Sequence, residues 1–146
     1  MKLLKIYSWL VGKMNDFTKD FSHDEMLYNQ ARNFWNKLDN ASLGFVILMV
    51  AFGIFTAYLY YGPYNNMPGR KYTPKHWLIL MAVSVLLTFV GTLVYAYFAA
   101  KPTMHGSWSL ELKISLCNAI YAALVYFVTS AVICRSGMKT NAYRLF

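Results

Sequence analysis

The chain has few charged residues and few cysteines. Asp, Glu, Lys and Arg make up only 14% of its 146 residues, whereas about a quarter is usual in soluble domains. Two cysteines are too few for a disulfide-stabilised scaffold. Hydrophobic residues reach 58% and aromatic residues 18%, and they are concentrated in long blocks, which excludes a disordered chain and an ordinary globular core. The composition therefore indicates a membrane protein.

The sequence also lacks the motifs that indicate a reaction. It contains no phosphate-binding loop, nucleophile elbow or zinc-protease helix. Its histidines, His23, His76 and His105, have no metal-ligand spacing with cysteines or acids. Cys117 and Cys134 lie about 25 Å apart on one predicted helix, which is beyond disulfide reach. We therefore expect a non-catalytic protein with no metal and no cofactor.

Three long uncharged blocks, at residues 42–61, 77–100 and 116–134, predict three transmembrane helices. Each block has roughly the 20 residues that cross about 30 Å of hydrocarbon, and long blocks without alternation are not barrel strands. The spans are predicted at about residues 42–61, 74–100 and 109–135, separated at Gly62-Pro63 and Lys101-Pro102. We expect an all-α integral membrane protein with three transmembrane helices preceded by two short amphipathic helices.

Residues 1–41 form a more polar unit ahead of the predicted membrane domain, residues 42–135, and they predict the two amphipathic helices. The second of these helices would begin at a capping box formed by Ser22 and Glu25 and would end near Asn40. The first fits the membrane surface, with its lysines near anionic headgroups, and fits a helix packed on a partner subunit equally well. The apolar stripe of this first helix comprises Leu3, Ile6, Leu10, Met14 and Phe17.

The sharpest pattern is a row of small and hydroxyl-bearing residues on the second span. Residues four apart lie on one helix face, and small side chains let helices approach closely. The third span offers Ala122 and Asn118, whose amide should face protein, water or another copy, because lipid would leave its donors unpaired. Three interpretations remain open: packing of a hairpin within one subunit, a seam between subunits, or a water-filled lumen in an oligomer. The row comprises Ser84, Thr88, Thr92, Ala96 and Ala100.

The formal net charge of +8 is spread over both ends of the predicted spans. The first loop, residues 62–76, and the C-terminal tail, residues 136–146, are basic and suit lipid headgroups or an acidic partner protein. The basic residues form neither one cluster nor a known binding motif for nucleic acid, so we expect no nucleic-acid partner. The predicted contact residues are Arg70, Lys71, Lys75, Arg144 and Phe146.

These features favour a non-catalytic, multi-pass membrane subunit that acts as an anchor or assembly component of a larger membrane-associated complex. The expected partners are the lipid bilayer and other protein subunits or copies of the chain. The alternative is a homo-oligomeric pore or channel that permeabilises the membrane in lysis or defence. We expect the location to be the cell membrane, as a bacterial inner-membrane protein with a cytoplasmic N-terminus. Because Lys5 interrupts the apolar core that a cleaved signal peptide needs, we expect no such peptide.

Overall fold

The computed structural model describes residues 4–64, 74–101 and 108–135. These residues are helical apart from short turns, and there is no strand among them. A 3₁₀ turn at Leu4–Tyr7 leads into two short helices, and three long helices follow. Their bounds are Ser8–Val11 (α1), Met14–Lys19 (α2), Glu25–Leu59 (α3), Pro74–Ala99 (α4) and Trp108–Arg135 (α5). The prediction of an all-α chain with three long apolar helices is confirmed, and two short helices precede them, although at other bounds than predicted.

The three long helices are long and apolar enough to cross a membrane. The segments with these properties are Glu25–Tyr64, which includes a π-helical turn at Tyr60–Tyr64, Pro74–Ala99 and Trp108–Cys134. Only 28%, 22% and 33% of their most apolar windows are buried within the chain. Most of their apolar side chains therefore face outward, in contiguous surfaces that hydrocarbon suits better than water. By length and composition, the described residues contain three helices that could span a membrane.

Helices α3, α4 and α5 form a bundle in which each helix packs on the other two. Helix α4 runs antiparallel to α5, since Trp77 contacts Ser130 near one end of the pair and Tyr97 stacks on Trp108 near the other. This agrees with the tight hairpin that a short connection imposes on neighbouring helices. The start of α4 and the end of α5 therefore lie at one end of the bundle, and the end of α4 and the start of α5 lie at the other.

Helix α3 begins with a different cap from the predicted one. The carboxylate of Asp24 accepts hydrogen bonds from the backbone N–H groups of Met26 at 2.8 Å and Leu27 at 3.3 Å. The predicted capping box of Ser22 and Glu25 is therefore wrong. Asp24 is the residue that reaches the free N–H groups of the first turn, and Glu25 lies at the first helical position.

The predicted second amphipathic helix is the N-terminal part of α3 rather than a separate element. Helix α3 continues without a break through the predicted end at Asn40 and into the first span. Residues 25–43 contain no proline or glycine, so no residue in this stretch favours the end of a helix. Residues 25–41 of α3 therefore extend the helix by roughly 25 Å ahead of the predicted span.

The predicted first amphipathic helix is interrupted at Gly12. The glycine has a φ of 80° and a ψ of −165°, a conformation that is essentially restricted to glycine. Helices α1 and α2 lie on either side of this break. The buried residues of the first segment are Leu4, Tyr7 and Val11. Of the predicted stripe, Leu10, Met14 and Phe17 are partly buried against the same core, Ile6 stays 44% exposed, and Leu3 lies outside the described residues. The difference arises because a 3₁₀ turn, with three residues per turn, replaces the first turn of the predicted α-helix.

Gly12→Ala should loosen the connection between α1 and α2. A non-glycine residue in this backbone conformation costs about 1–3 kcal/mol, and the break serves to orient the segment at residues 4–11. We expect faster hydrogen exchange of the amides in that segment and little change in α4 and α5. Asn15→Ala is the control, because Asn15 is exposed on α2 and its replacement leaves the Gly12 conformation unchanged. Equal exchange in the two variants would show that the Gly12 conformation is not needed.

Candidate functional site

Asn118 of α5 lies at the centre of a polar junction inside the bundle. Its side chain is fully buried. The Nδ2 group donates to the backbone oxygen of Phe45 at 2.9 Å and to Oγ1 of Thr92 at 2.7 Å. The Oδ1 atom accepts a hydrogen bond from the hydroxyl of Tyr7 at 2.9 Å. One side chain thus joins the N-terminal segment, α3 and α4 to α5.

The three hydrogen bonds account for both donors of the Asn118 amide and for its acceptor oxygen. A buried amide without partners would be strongly disfavoured in an apolar surrounding. Each partner belongs to the same chain, so the amide faces protein, which is one of the three environments predicted for it. The junction therefore holds four segments in one arrangement and leaves no donor of this amide directed at lipid.

A second set of hydrogen bonds holds the N-terminal segment on α5. The hydroxyl of Tyr121 donates to the backbone oxygen of Ile6 at 2.8 Å and accepts from Nε1 of Trp9 at 2.8 Å. The ring of Tyr7 lies 6.0 Å from the ring of Tyr121, centre to centre. Burial raises the pKa of Tyr7, so its phenol keeps the proton that it donates to Asn118.

The predicted row of small residues on α4 faces the interior of the chain. Thr92 accepts the hydrogen bond from Asn118, and the hydroxyl of Ser84 donates to the backbone oxygen of Phe52 at 3.4 Å. Within the described residues, Oγ1 of Thr88 has no hydrogen-bond partner. The row packs against helices of its own chain. A seam between subunits or a water-filled lumen would therefore have to be formed by other faces of these helices. The fully buried residues of the row are Ser84, Thr88, Thr92, Ala96 and Ala100.

Ala122 lies where α3 and α5 cross. It is fully buried, and its backbone oxygen is 3.3 Å from the position that a Cβ on Gly53 would occupy. The side chain of Val125 is closer still to that position, at 2.7 Å. Small residues on both helices therefore permit the close crossing that places Asn118 beside α3.

A cluster of aromatic residues closes the opposite end of the bundle. Nε1 of Trp77 donates to the hydroxyl oxygen of Ser130 at 3.2 Å, and the hydroxyl of Tyr126 donates to the backbone oxygen of Trp77 at 3.2 Å. The thiol of Cys134 donates to the hydroxyl oxygen of Tyr61 at 3.4 Å. These contacts join the π-helical turn that follows α3, the start of α4 and the end of α5. Cys134 accordingly behaves as a small buried side chain with a weak donor.

The residues predicted to contact headgroups or a partner protein are mostly outside the described part of the chain. Arg70, Lys71, Arg144 and Phe146 lie outside the described residues. Lys75 lies in the first turn of α4 and is exposed. The structure does not bring Lys75 together with the Asn118 junction, because the start of α4 is at the other end of the bundle.

The sequence alone does not show that Tyr7 is a partner of Asn118. Tyr7 is separated from Asn118 by 111 positions, and no spacing rule connects positions so far apart. The one signal in the sequence is the spacing of Tyr7 from Leu4 and Val11, which places its hydroxyl on the apolar face of the segment, and that face has to pack against another part of the protein.

The burial of Glu111 is also not evident from the sequence. Glu111 is only 1% exposed, and its Oε1 atom has no hydrogen-bond partner among the described residues.

The junction joins segments of the chain rather than presenting reactive groups. The part of the chain that the structure describes contains no group of three or more His, Cys, Asp or Glu side chains that could hold a metal ion. Comparisons with protein-family models, with curated proteins and with solved structures find no match to this chain. The candidate site is therefore defined by its own geometry, as a junction at Asn118 on which the N-terminal segment docks.

Proposed function

We propose that the chain is a non-catalytic, multi-pass membrane subunit that anchors or assembles a larger membrane-associated complex. The observation that carries this proposal is the arrangement of the polar and small residues in the spans. The Asn118 amide and the α4 row are buried against their own chain, so the bundle packs as a unit and leaves mainly apolar side chains facing lipid. A stable bundle of this kind suits an anchor better than a pore, whose lumen needs polar residues from several copies.

The N-terminal part of α3 supports a role in binding other subunits. Residues 25–41 extend α3 ahead of the predicted span, and Met26 and Leu27 on this extension are 70% and 42% exposed. Exposed apolar side chains on a polar helix are typical of contacts with another protein. We propose that this extension, together with the predicted contacts at Arg70, Lys71, Lys75, Arg144 and Phe146, binds the partner subunits.

We place the protein in a bacterial inner membrane with its N-terminus in the cytoplasm. The N-terminal unit and the flanks of the loop between the second and third spans hold eight of the 14 basic residues, which supports this orientation, because cytoplasmic segments of membrane proteins are enriched in Lys and Arg. A Ser22→Cys variant tests it with a maleimide that cannot cross membranes. The thiol should be labelled in broken cells only. Labelling in intact cells would show that the N-terminus lies on the outer side of the membrane.

Purification in mild detergent with mass measurement of the complex tests the proposed role. A foreign subunit at fixed stoichiometry is the expected result, and expression of the chain alone should leave the membrane potential unchanged. A closed ring made of this chain alone, with depolarised cells, would overturn the proposal in favour of a homo-oligomeric pore.

The contribution of the α3 extension is tested with a double variant. Met26→Ser with Leu27→Ser should release the partner while leaving the bundle folded, because both side chains are exposed. Asn29→Ser with Gln30→Ser is the matched control, since it changes exposed polar residues on the next turn. Retention of the partner by the apolar double variant would exclude the extension as a contact.

A further inference from the structure

A cleft of about 210 Å³ lies between the N-terminal segment and α3. The segment reaches it from the 3₁₀ turn, α1 and the start of α2, and α3 contributes three residues ahead of the first span. Its lining combines apolar, cationic, anionic and neutral polar side chains. The residues that determine its chemistry are Lys5, Ser8, Lys13, Trp35, Asn36 and Asp39.

Asp39 is the acidic residue of the cleft, and among the residues that the structure describes its carboxylate has few partners. The residue is only 8% exposed, and its Oδ1 atom accepts one long hydrogen bond, from the backbone N–H of Leu4 at 3.4 Å. Among the described residues, no lysine or arginine forms a salt bridge with it. A largely buried carboxylate is strongly stabilised by a cationic hydrogen-bond donor. The cleft therefore favours a ligand with an ammonium group that reaches Asp39.

Lys5 and Lys13 give the same cleft a cationic rim. Both lysines are exposed, so their ammonium groups remain hydrated and available to an anion. Ser8 and Asn36 add neutral donors to the lining. Ammonium groups and neutral donors of this kind bind phosphate oxygens. The ligand that complements the whole cleft therefore carries a phosphate and an ammonium group close to each other.

The cleft lies at the level of lipid headgroups. Asp39 precedes Ser42, where the uncharged block of α3 begins, by three residues, or about 4.5 Å along the axis. Lys5 and Lys13 on the other wall suit the same level, because basic side chains beside the ends of spans lie next to lipid headgroups. The phospholipids of the membrane are therefore next to the mouth of the cleft, and their headgroups can supply both the phosphate and the ammonium group.

We propose that this cleft binds the headgroup of a phospholipid with a primary amine, phosphatidylethanolamine, with its ammonium group on Asp39 and its phosphate on Lys5 and Lys13. A choline headgroup lacks N–H donors for the carboxylate. A glycerol headgroup lacks the cation altogether. The proposal rests on the membrane location of the chain and is independent of the partner subunits under the proposed function.

The test uses the full chain in a maltoside detergent and measures bound lipid by native mass spectrometry. Phosphatidylethanolamine, phosphatidylcholine and phosphatidylglycerol with identical acyl chains are titrated separately. We expect the ethanolamine lipid to bind about tenfold more tightly than the other two, as one charge-assisted hydrogen bond predicts. Equal affinity for the three lipids would overturn the proposal. Free phosphoethanolamine binding as tightly as the lipid would overturn the assignment to a membrane source.

Two substitutions separate the roles of the carboxylate and the lysines. Asp39→Asn keeps an acceptor for the Leu4 N–H group, and it should lower affinity for the ethanolamine lipid about tenfold, to the level of the choline lipid. Lys5→Gln with Lys13→Gln should weaken the binding of all three lipids.

The matched control for the lysines is Lys19→Gln, since Lys19 is exposed but does not line the cleft. Unchanged ethanolamine selectivity in Asp39→Asn, measured in a variant that still binds the choline lipid and is therefore folded, would exclude the carboxylate as the selective group. Co-purification of a partner subunit, measured on the same preparations, tests the anchor role separately.

Discussion

Asn118→Leu should release the N-terminal segment and lower the stability of the bundle by about 2 kcal/mol. The value is the sum for three hydrogen bonds at the average of about 0.6 kcal/mol found inside membranes. The substitution leaves the hydroxyl of Tyr7 and Oγ1 of Thr92 without the partner that the structure shows. Membrane insertion should be unaffected, because leucine is more favourable than asparagine in a span.

Two measurements check the Asn118→Leu prediction. Unfolding in mixed micelles reports the loss of stability, and hydrogen exchange of residues 4–11 reports release of the segment. Tyr7→Phe removes one of the three hydrogen bonds and should give about a third of the effect.

Asn33→Leu is the matched control for this series, since Asn33 is exposed on α3. An unfolding midpoint and an exchange pattern that are the same in Asn118→Leu and Asn33→Leu would show that the junction does not hold the segments together.

Gly53→Val should separate α3 from α5 and destabilise the protein by about 3 kcal/mol, at the upper end of the usual range for overpacking. The added Cβ would lie 2.7 Å from Cγ1 and 2.9 Å from Cβ of Val125, and 3.3 Å from the backbone oxygen of Ala122. Valine also carries two methyl groups beyond its Cβ, and a backbone oxygen cannot move aside as a flexible side chain can. The helices must therefore shift apart.

The matched control is Ala51→Val, which adds a branched side chain at an exposed position of the same helix. The midpoint of unfolding in mixed micelles should fall in Gly53→Val and change little in Ala51→Val. Because the crossing also positions Phe45 beside Asn118, residues 4–11 should exchange faster in Gly53→Val only. Equal shifts of the midpoint in both variants would contradict the close crossing.

The spans could be predicted from the sequence because hydrocarbon selects each helix by its own length and hydropathy. The predicted ranges 74–100 and 109–135 differ by one residue at an end from Pro74–Ala99 and Trp108–Arg135. The first span is predicted at residues 42–61, after a separate amphipathic helix that ends near Asn40, yet α3 begins at Glu25 and includes both. Hydropathy marks where a helix enters lipid, and it does not mark where the helix itself begins.

The details of the N-terminal unit could not be read from local patterns. Ser22 and Asp24 are both good N-caps, and the choice between them depends on which side chain reaches the free N–H groups once the preceding turn has formed. The break at Gly12 could not be predicted from the local sequence either, because a glycine permits a positive φ without requiring it. Packing of the segment against α3 and α5 selects the conformation.

The sequence by itself determined that three apolar helices form, that Asn118 needs polar partners and that the α4 row allows close packing. These properties follow from the solvent and the geometry of single helices. Only the tertiary structure decided that the partners are Tyr7, Thr92 and Phe45 and that the α4 row faces its own chain. Which side chains meet depends on how the helices rotate and cross, and that is decided by the packing of the whole bundle.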